Sequence, residues 1–342
     1  MAYQACMKSH GYDSRIWILG ASDPEMIEIE RLLDACRERH VYAMGDNGNR
    51  VHPGNAYQAT LFNGPVLDLS DDGVATFPRE MFFVECAFIP QSMATPEQIC
   101  ALTSDGTEPP TTHVQSFDHH REGDAGFGGS PMDYFGSSSV GQVATYLLRD
   151  PDRARALGWE RVEVGRATPN GEVIAHRSAL LVGTGNSYGY RIPQEVLMIA
   201  ASDHCLAAAY QQKCPGIDPL ALMEWRLASR AAFQKVPLEK LMMQVMATRA
   251  RIRQRAIDGI ADLTDLPGGT LPEAPEAACA EGLGVLAKVK DRDGREKIVL
   301  LGNLEPKRIQ EWIDAQAAFG HEVYGDPVRG YAGAYLTPRM TI

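Results

Sequence analysis

No run of about 18 uncharged apolar residues occurs anywhere in the 342-residue chain, so no segment reads as a membrane-spanning helix and no membrane partner is expected. Residues 1–10 are polar and lack the apolar stretch of a secretory signal, so export by that route is not expected either. Paired cysteines are also missing. The seven Cys, at positions 6, 36, 86, 100, 205, 214 and 279, form neither a CxxC pair nor a disulfide framework, and the expected setting is reducing and cytoplasmic. Charge of one sign is nowhere concentrated: no block of five like charges occurs, and 33 Lys plus Arg against 44 Asp plus Glu leave a net charge of −11. A tight, sequence-independent grip on duplex nucleic acid requires many cationic side chains on phosphates, so that class is set aside; a small ligand or a short oligonucleotide stays open. There is no internal repeat, and residues 183–189 (GTGNSYG) lack the GxGxxG spacing of a dinucleotide fingerprint and read as a loop.

What is present describes a globular protein: 44% hydrophobic and 23% charged residues, with length enough for two domains or for one large domain with an appendage. Residues 15–20 (RIWILG) read as a strand. Residues 23–39 follow with Met26, Ile29, Leu32, Leu33 and Cys36 at helical spacing, capped by Ser22 or Asp23 with Pro24 in the first turn, and 40–44 return to strand. This βαβ reading implies a parallel sheet with a ligand site at the C-terminal ends of its strands. Residues 81–90 (MFFVECAFIP) form a second apolar run with Glu85 in its middle, and a carboxylate there needs a partner. Residues 112–117 read as a strand that runs into Asp118-His119-His120, followed by a Gly-rich loop over 123–136 and a helix over 138–148.

Further on, 162–182 alternates like an antiparallel pair with a turn at Pro169-Asn170-Gly171, 194–210 reads as one helix, and 220–263 as a long helical stretch broken only near Pro237. Residues 266–275 (LPGGTLPEAP) are the expected linker. Strands over 283–289 and 297–301 joined by Asp291-Arg292-Asp293-Gly294, a helix over 305–319 and a closing strand over 331–336 complete the chain.

The sharpest chemical feature is Asp118-His119-His120 at a strand end, where a turn lets the carboxylate and an imidazole converge on one point, as a divalent metal requires. Asp23 and Glu25 after the first strand, Glu85, and Asp203-His204 on a late helix are further candidate ligands. Each has a plainer reading: Asp23 as a helix cap, Glu85 paired with a buried Arg, Asp203 facing solvent. A second patch, residues 45–57 (GDNGNRVHPGNAY), offers Asp46, Arg50, His52 and Asn55. There Arg50 would contact phosphate, and His52 would serve as metal ligand or general acid. In the tail, 324–335 (YGDPVRGYAGAY), Arg329 offers a fork for phosphate or carboxylate, and Tyr331 and Tyr335 offer rings for a base. Cys86 and Cys205 lie beside proposed ligands, where a nucleophilic role competes with that of a buried, inert thiol.

SFDHHREGD, the SSSVGQVATYLL that follows it, the preceding FFVEC and the opening ILGASDPEMIEIERLL together resemble the Asp-His-His (DHH) phosphoesterase superfamily, over about residues 14 to 210. The resemblance implies an α/β fold: a parallel-sheet metal-binding domain over 1–215, connecting helices over 216–265 and a small C-terminal α+β domain over 266–342 that closes on substrate. It further implies a hydrolase that uses one or two Mn²⁺, with Mg²⁺ as the alternative, on a phosphoester of a nucleotide or short oligonucleotide. Asp118 and His119 fall on the motif's Asp and first His, Glu85 on the second motif's Asp and Asp203 on the fourth motif's Asp. His120, Arg121 and His52 would then serve the reaction, Asp23 and His204 would be recruited as further ligands, and Arg50, Asn55, Arg329 and Tyr331 would bind substrate. The family's first motif, a His followed by two Asp, falls on Ala21, Glu25 and Ile27. That departure motivates two alternatives: a metal-independent nucleotide-binding sensor or partner module, and a non-hydrolytic enzyme acting on a modified nucleotide. A monomer and a homodimer are equally compatible with the sequence.

Overall fold

The computed structural model describes residues 15–64, 66, 68–69, 75–76, 78–87, 113–165, 172–176, 179–184, 186–266, 274–290 and 294–336. These form two compact units, one from residues 1–127 and 136–192, the other from 128–135 and 193–342.

The first unit is built on a five-stranded, mainly parallel sheet. Strand β1 (Arg15–Leu19) leads through α1 (Pro24–Ala35) to β2 (His40–Met44), which pairs parallel to β1, as the alternation of patterns predicts. A short β3 (Leu61–Phe62) adds an antiparallel edge to β2. On the other side of β1 lie β4 (Glu80–Val84) and β5 (His113–Phe117), both parallel, for an order β3-β2-β1-β4-β5. Strand order therefore reverses at β1, and the crevice above the C-terminal ends of β1 and β4 is where such sheets take ligands. Ile16, Trp17, Ile18 and Leu19 are all fully buried, as expected of a central strand covered on both faces. Successive side chains alternate. Trp17 packs its ring against Phe82 and Phe117 and edge-on to Tyr146, whereas Ile16 and Ile18 join Val41, Ala43 and Met81 on the opposite face.

Asp23 caps α1, its Oδ1 accepting from the Met26 N–H at 2.8 Å. Ser138 likewise caps α2 (Ser139–Leu148), and α3 (Pro151–Leu157) follows. Glu85 is the first residue beyond β4 and not its midpoint, because the strand ends at Val84; residues 88–90 of the apolar run lie outside the described residues. The expected pairing across 162–182 is not seen among the described residues. Instead β6 (Arg161–Glu163) pairs with β9 (Tyr188–Arg191), β9 with β8 (Ala179–Gly183) and β8 with β7 (Val173–His176), all antiparallel. Alternation marks both β6 and the later strands but does not say which pair; residues 169–171 lie outside the described residues.

In the second unit, the stretch expected as one helix breaks at Cys205 into α4 (Gln194–His204) and α5 (Leu206–Tyr210), where the backbone leaves helical space at φ −152° and ψ 51°. Helices α6 (Pro219–Gln234) and α7 (Leu238–Arg255) meet at Lys235, in left-handed conformation before Pro237. Helix does not continue to 263. Asp258 and Gly259, both at positive φ, turn β10 (Ala256–Ile257) back into β11 (Ile260–Asp262), the two-residue turn that an Asp-Gly pair favours. Of the expected linker, 267–273 lie outside the described residues, and Ala274 and Pro275 open α8 (Ala274–Ala280). Strands β12 (Gly284–Lys290) and β13 (Glu296–Gly302), α9 (Pro306–Ala318), β14 (Glu322–Asp326) and β15 (Tyr331–Tyr335) complete a six-stranded sheet of order β10-β11-β12-β13-β15-β14. Residues 291–293 of the expected turn lie outside the described residues, and β14 is an edge strand that the sequence pattern did not mark. The chain as described is mixed α/β, and no helix among the described residues is long and apolar enough to cross a membrane.

Candidate metal centre

Register places the site. Leu19 pairs with Val84 and Val84 with Phe117, so Gly20, Glu85 and Asp118 emerge side by side from the C-terminal edge of the parallel sheet. Gly20 is required there, since a Cβ would lie 2.4 Å from the Glu85 carbonyl oxygen. Glu85 itself holds φ +49°, a left-handed conformation rare for a residue with a side chain and of the kind that gathers at functional sites.

Glu85, His119 and His120 each offer a ligand atom within 4.8 Å of the others. His119 Nε2 lies 3.4 Å from Glu85 Oε1 and 3.9 Å from Glu25 Oε2, and His120 Nδ1 lies 3.9 Å from Glu85 Oε1. Glu25, Glu85, Asp118 and His119 are all buried. Glu25 reaches the cluster from the first turn of α1, and its Oε1 accepts from the Val140 N–H at 2.8 Å, in the first turn of α2. The buried Glu85 Oε1 has no hydrogen-bond partner among the described residues. Glu85, His119 and His120, with Glu25 3.9 Å from His119, offer oxygen and nitrogen donors that fit a metal ion.

Asp118 plays a different part from its neighbours. Its Oδ1 accepts from the His119 N–H at 2.7 Å, the His120 N–H at 3.1 Å and His120 Nδ1 at 2.9 Å, while Oδ2 accepts from the Tyr57 hydroxyl at 2.9 Å. Burial alone would push its pKa up; the hydrogen bond and charge of His120, with the Tyr57 hydroxyl, outweigh that and hold the carboxyl below its ordinary value. Asp118 thus orients the His120 ring through Nδ1, the carboxylate–histidine arrangement common behind metal ligands. Burial and the Asp118 charge push the Tyr57 hydroxyl well up, so it stays protonated and donates. The Arg121 guanidinium lies over the Tyr57 ring, 3.7 Å from its centroid. Behind them the loop folds back tightly: Gly126 N–H donates to the Asp118 carbonyl, and a Cβ at 126 would lie 2.7 Å from that of His119 and 1.8 Å from the Ser137 carbonyl.

Several other expected site residues make contacts of their own. Asp23 caps α1. Arg50 donates through Nε to the Gly20 carbonyl at 2.8 Å, pairs with Glu30 at 2.8 Å and covers the Tyr42 ring, so it pins the 45–57 loop to β1 and α1. His52 and Asn55 close that loop on itself, with Asn55 Oδ1 accepting the His52 N–H and His52 Nδ1 accepting the Gly54 N–H. Within the second unit, Arg329 Nη2 donates to the Asp203 carbonyl at 2.5 Å and lies 3.5 Å from Asp203 Oδ2, with its guanidinium 5.6 Å from the Tyr331 ring centroid. His204 is buried, its Nε2 3.2 Å from the Gly129 carbonyl oxygen. Cys86 and Cys205 are buried, and burial drives the Cys86 thiol up, out of the range of a nucleophile at neutral pH. Sequence reasoning passed over Tyr57, which sits at the end of a polar loop with no local mark of its partner.

The site therefore belongs to a broad class, a carboxylate and imidazole cluster at the C-terminal edge of a mainly parallel sheet. Comparison of the chain with family models, with curated proteins and with solved structures found no match.

Proposed function

We propose that this protein is a metal-dependent phosphoester hydrolase of the DHH type, acting on a nucleotide or short oligonucleotide with Mn²⁺ as cofactor. The observation that carries the reading is that Glu85, His119 and His120 bring ligand atoms within 4.8 Å of one another, with Glu25 beside His119 and Asp118 behind His120, at the switch of strand order. Glu85, His119 and His120 would hold the ion, with Glu25 beside them. A bound divalent ion supplies Lewis acidity and a water of lowered pKa. The chain's own residues do the rest: Asp118 fixes the imidazole of His120, Tyr57 fixes Asp118, and Arg121, half exposed above the Tyr57 ring, offers its fork to a phosphate oxygen.

The test is elemental analysis of the full chain after dialysis against Mn²⁺, beside Glu85→Gln and His119→Gln. One or two Mn²⁺ per chain, lost in both variants, is the expected result, followed by Mn²⁺-dependent release of product carrying oxygen from labelled solvent water. Asp203→Asn, which the family resemblance marks as a ligand, is measured alongside. No bound metal in the parent chain overturns the reading in favour of a metal-independent nucleotide-binding module, for which Ala21, in the place of the first motif's His, is the motivating residue. Metal-dependent turnover without solvent oxygen in the product points instead to a non-hydrolytic enzyme on a modified nucleotide.

A further inference from the structure

The opposite edge of the same parallel sheet holds a second concentration of charge that the proposed chemistry does not use. There, beneath the N-terminal ends of β1 and β4, a cavity of about 660 Å³ is lined by Arg15, Arg79, Arg149 and Arg153, with Glu80 and Asp150 as its acidic members and Tyr146 at its wall. Five residues of parallel strand, about 16 Å, separate this edge from the edge that carries Glu85. The two sites are thus distinct within one unit.

The inner half of the basin is built rigidly. The Arg153 side chain is 8% exposed with Nε 2.7 Å from Glu38 Oε1; that of Arg15 is 14% exposed with Nε 3.6 Å from Glu80 and 3.9 Å from Glu38. Glu38 is fixed in turn by the Trp17 indole N–H at 3.1 Å. The outer half is different. Arg79 and Arg149 are exposed at the mouth, and no carboxylate lies within 4.0 Å of the Arg149 guanidinium among the described residues. Four guanidinium groups thus line one basin in a chain whose net charge is −11. The planar forks of guanidinium groups suit phosphate oxygens two at a time.

We propose that this arginine basin is a second binding site, for a phosphate-bearing anion, with a diphosphate group as the simplest ligand of the right charge and size. The inner arginines set its floor, and Arg79 and Arg149 close on the ligand from the mouth. Binding needs no metal ion and no residue of the metal centre.

The test is a calorimetric titration of inorganic pyrophosphate into the full chain at low ionic strength, after metal has been stripped and the chelator removed. Parent and Glu85→Gln proteins should bind with affinities within about twofold of each other. The double variant Arg79→Gln, Arg149→Gln should bind at least about tenfold more weakly, with an unchanged circular dichroism spectrum, because each substitution removes a charge-assisted contact at an exposed position. The proposal is overturned by absence of binding to the parent protein, by equal binding in the double variant, or by a loss of binding in Glu85→Gln, which would move the anion to the metal centre. Failure of the metal reading leaves these outcomes unaffected, since all are measured without metal.

Discussion

Tyr57 and Asp118 show how a single hydrogen bond sets the geometry of a site. Asp118 already accepts three bonds on Oδ1, so its remaining oxygen decides which way the carboxylate plane turns, and the Tyr57 hydroxyl holds that oxygen at 2.9 Å. Tyr57→Phe keeps the ring under Arg121 and removes only the donor. It should weaken Mn²⁺ binding by about tenfold, the range measured when such outer partners are lost, and lower stability by about 1 kcal/mol. Competition against a chelating dye reads the first and urea unfolding the second. Unchanged affinity would mean that the orientation of His120 is set by the backbone alone.

At the scale of the element, the N-terminal end of α1 carries two acids with separate tasks, Asp23 at the cap and Glu25 in the first turn. Asp23 caps the helix, while Glu25, one turn face away, reaches His119 and the first turn of α2. Asp23→Ala should cost about 1 kcal/mol of stability through loss of the cap and leave metal stoichiometry untouched. A fall in bound metal in that variant would restore Asp23 as a ligand.

Acid sensitivity belongs to the scale of the whole molecule, where the second unit has a buried charge cluster of its own. Glu276 of α8 is 1% exposed and pairs with Arg226 at 2.8 Å and Arg230 at 3.8 Å on α6. Burial pushes its pKa up, but the two guanidinium groups outweigh burial and hold it below the ordinary Glu value. A carboxyl whose folded pKa is depressed adds stability that is fully present above the unfolded value of about 4.3 and is lost as pH falls through the lower folded value. Glu276→Gln should cost about 2 kcal/mol at pH 7, because it leaves two part-buried arginines without their counter-charge, and should flatten the decline of stability below about pH 4.5. Thermal unfolding of parent and variant from pH 3 to pH 7 distinguishes this from an acid response spread evenly over the 44 acidic residues.

Short-range order was legible along the chain: the period of α1 and its cap at Asp23, the β1-α1-β2 unit, the strand that delivers Asp118-His119-His120, and the break before Pro237 all follow from residues within one turn or one strand of each other. Reading further failed where equal local patterns admit different partners. The strand at Arg161–Glu163 alternates as a hairpin member would, yet it pairs with Tyr188–Arg191. The Asp258-Gly259 turn was visible as a dipeptide but was submerged in a helical stretch. By itself the sequence determined which side chains stand at the ends of β1 and β5, because strand ends and caps are local events, whereas the end of β4 at Val84 was hidden inside an apolar run. Only tertiary structure decided that Glu25, Tyr57, Glu85 and His119 meet, since parallel pairing joins strands distant in sequence, and that their register places Gly20, Glu85 and Asp118 on one edge.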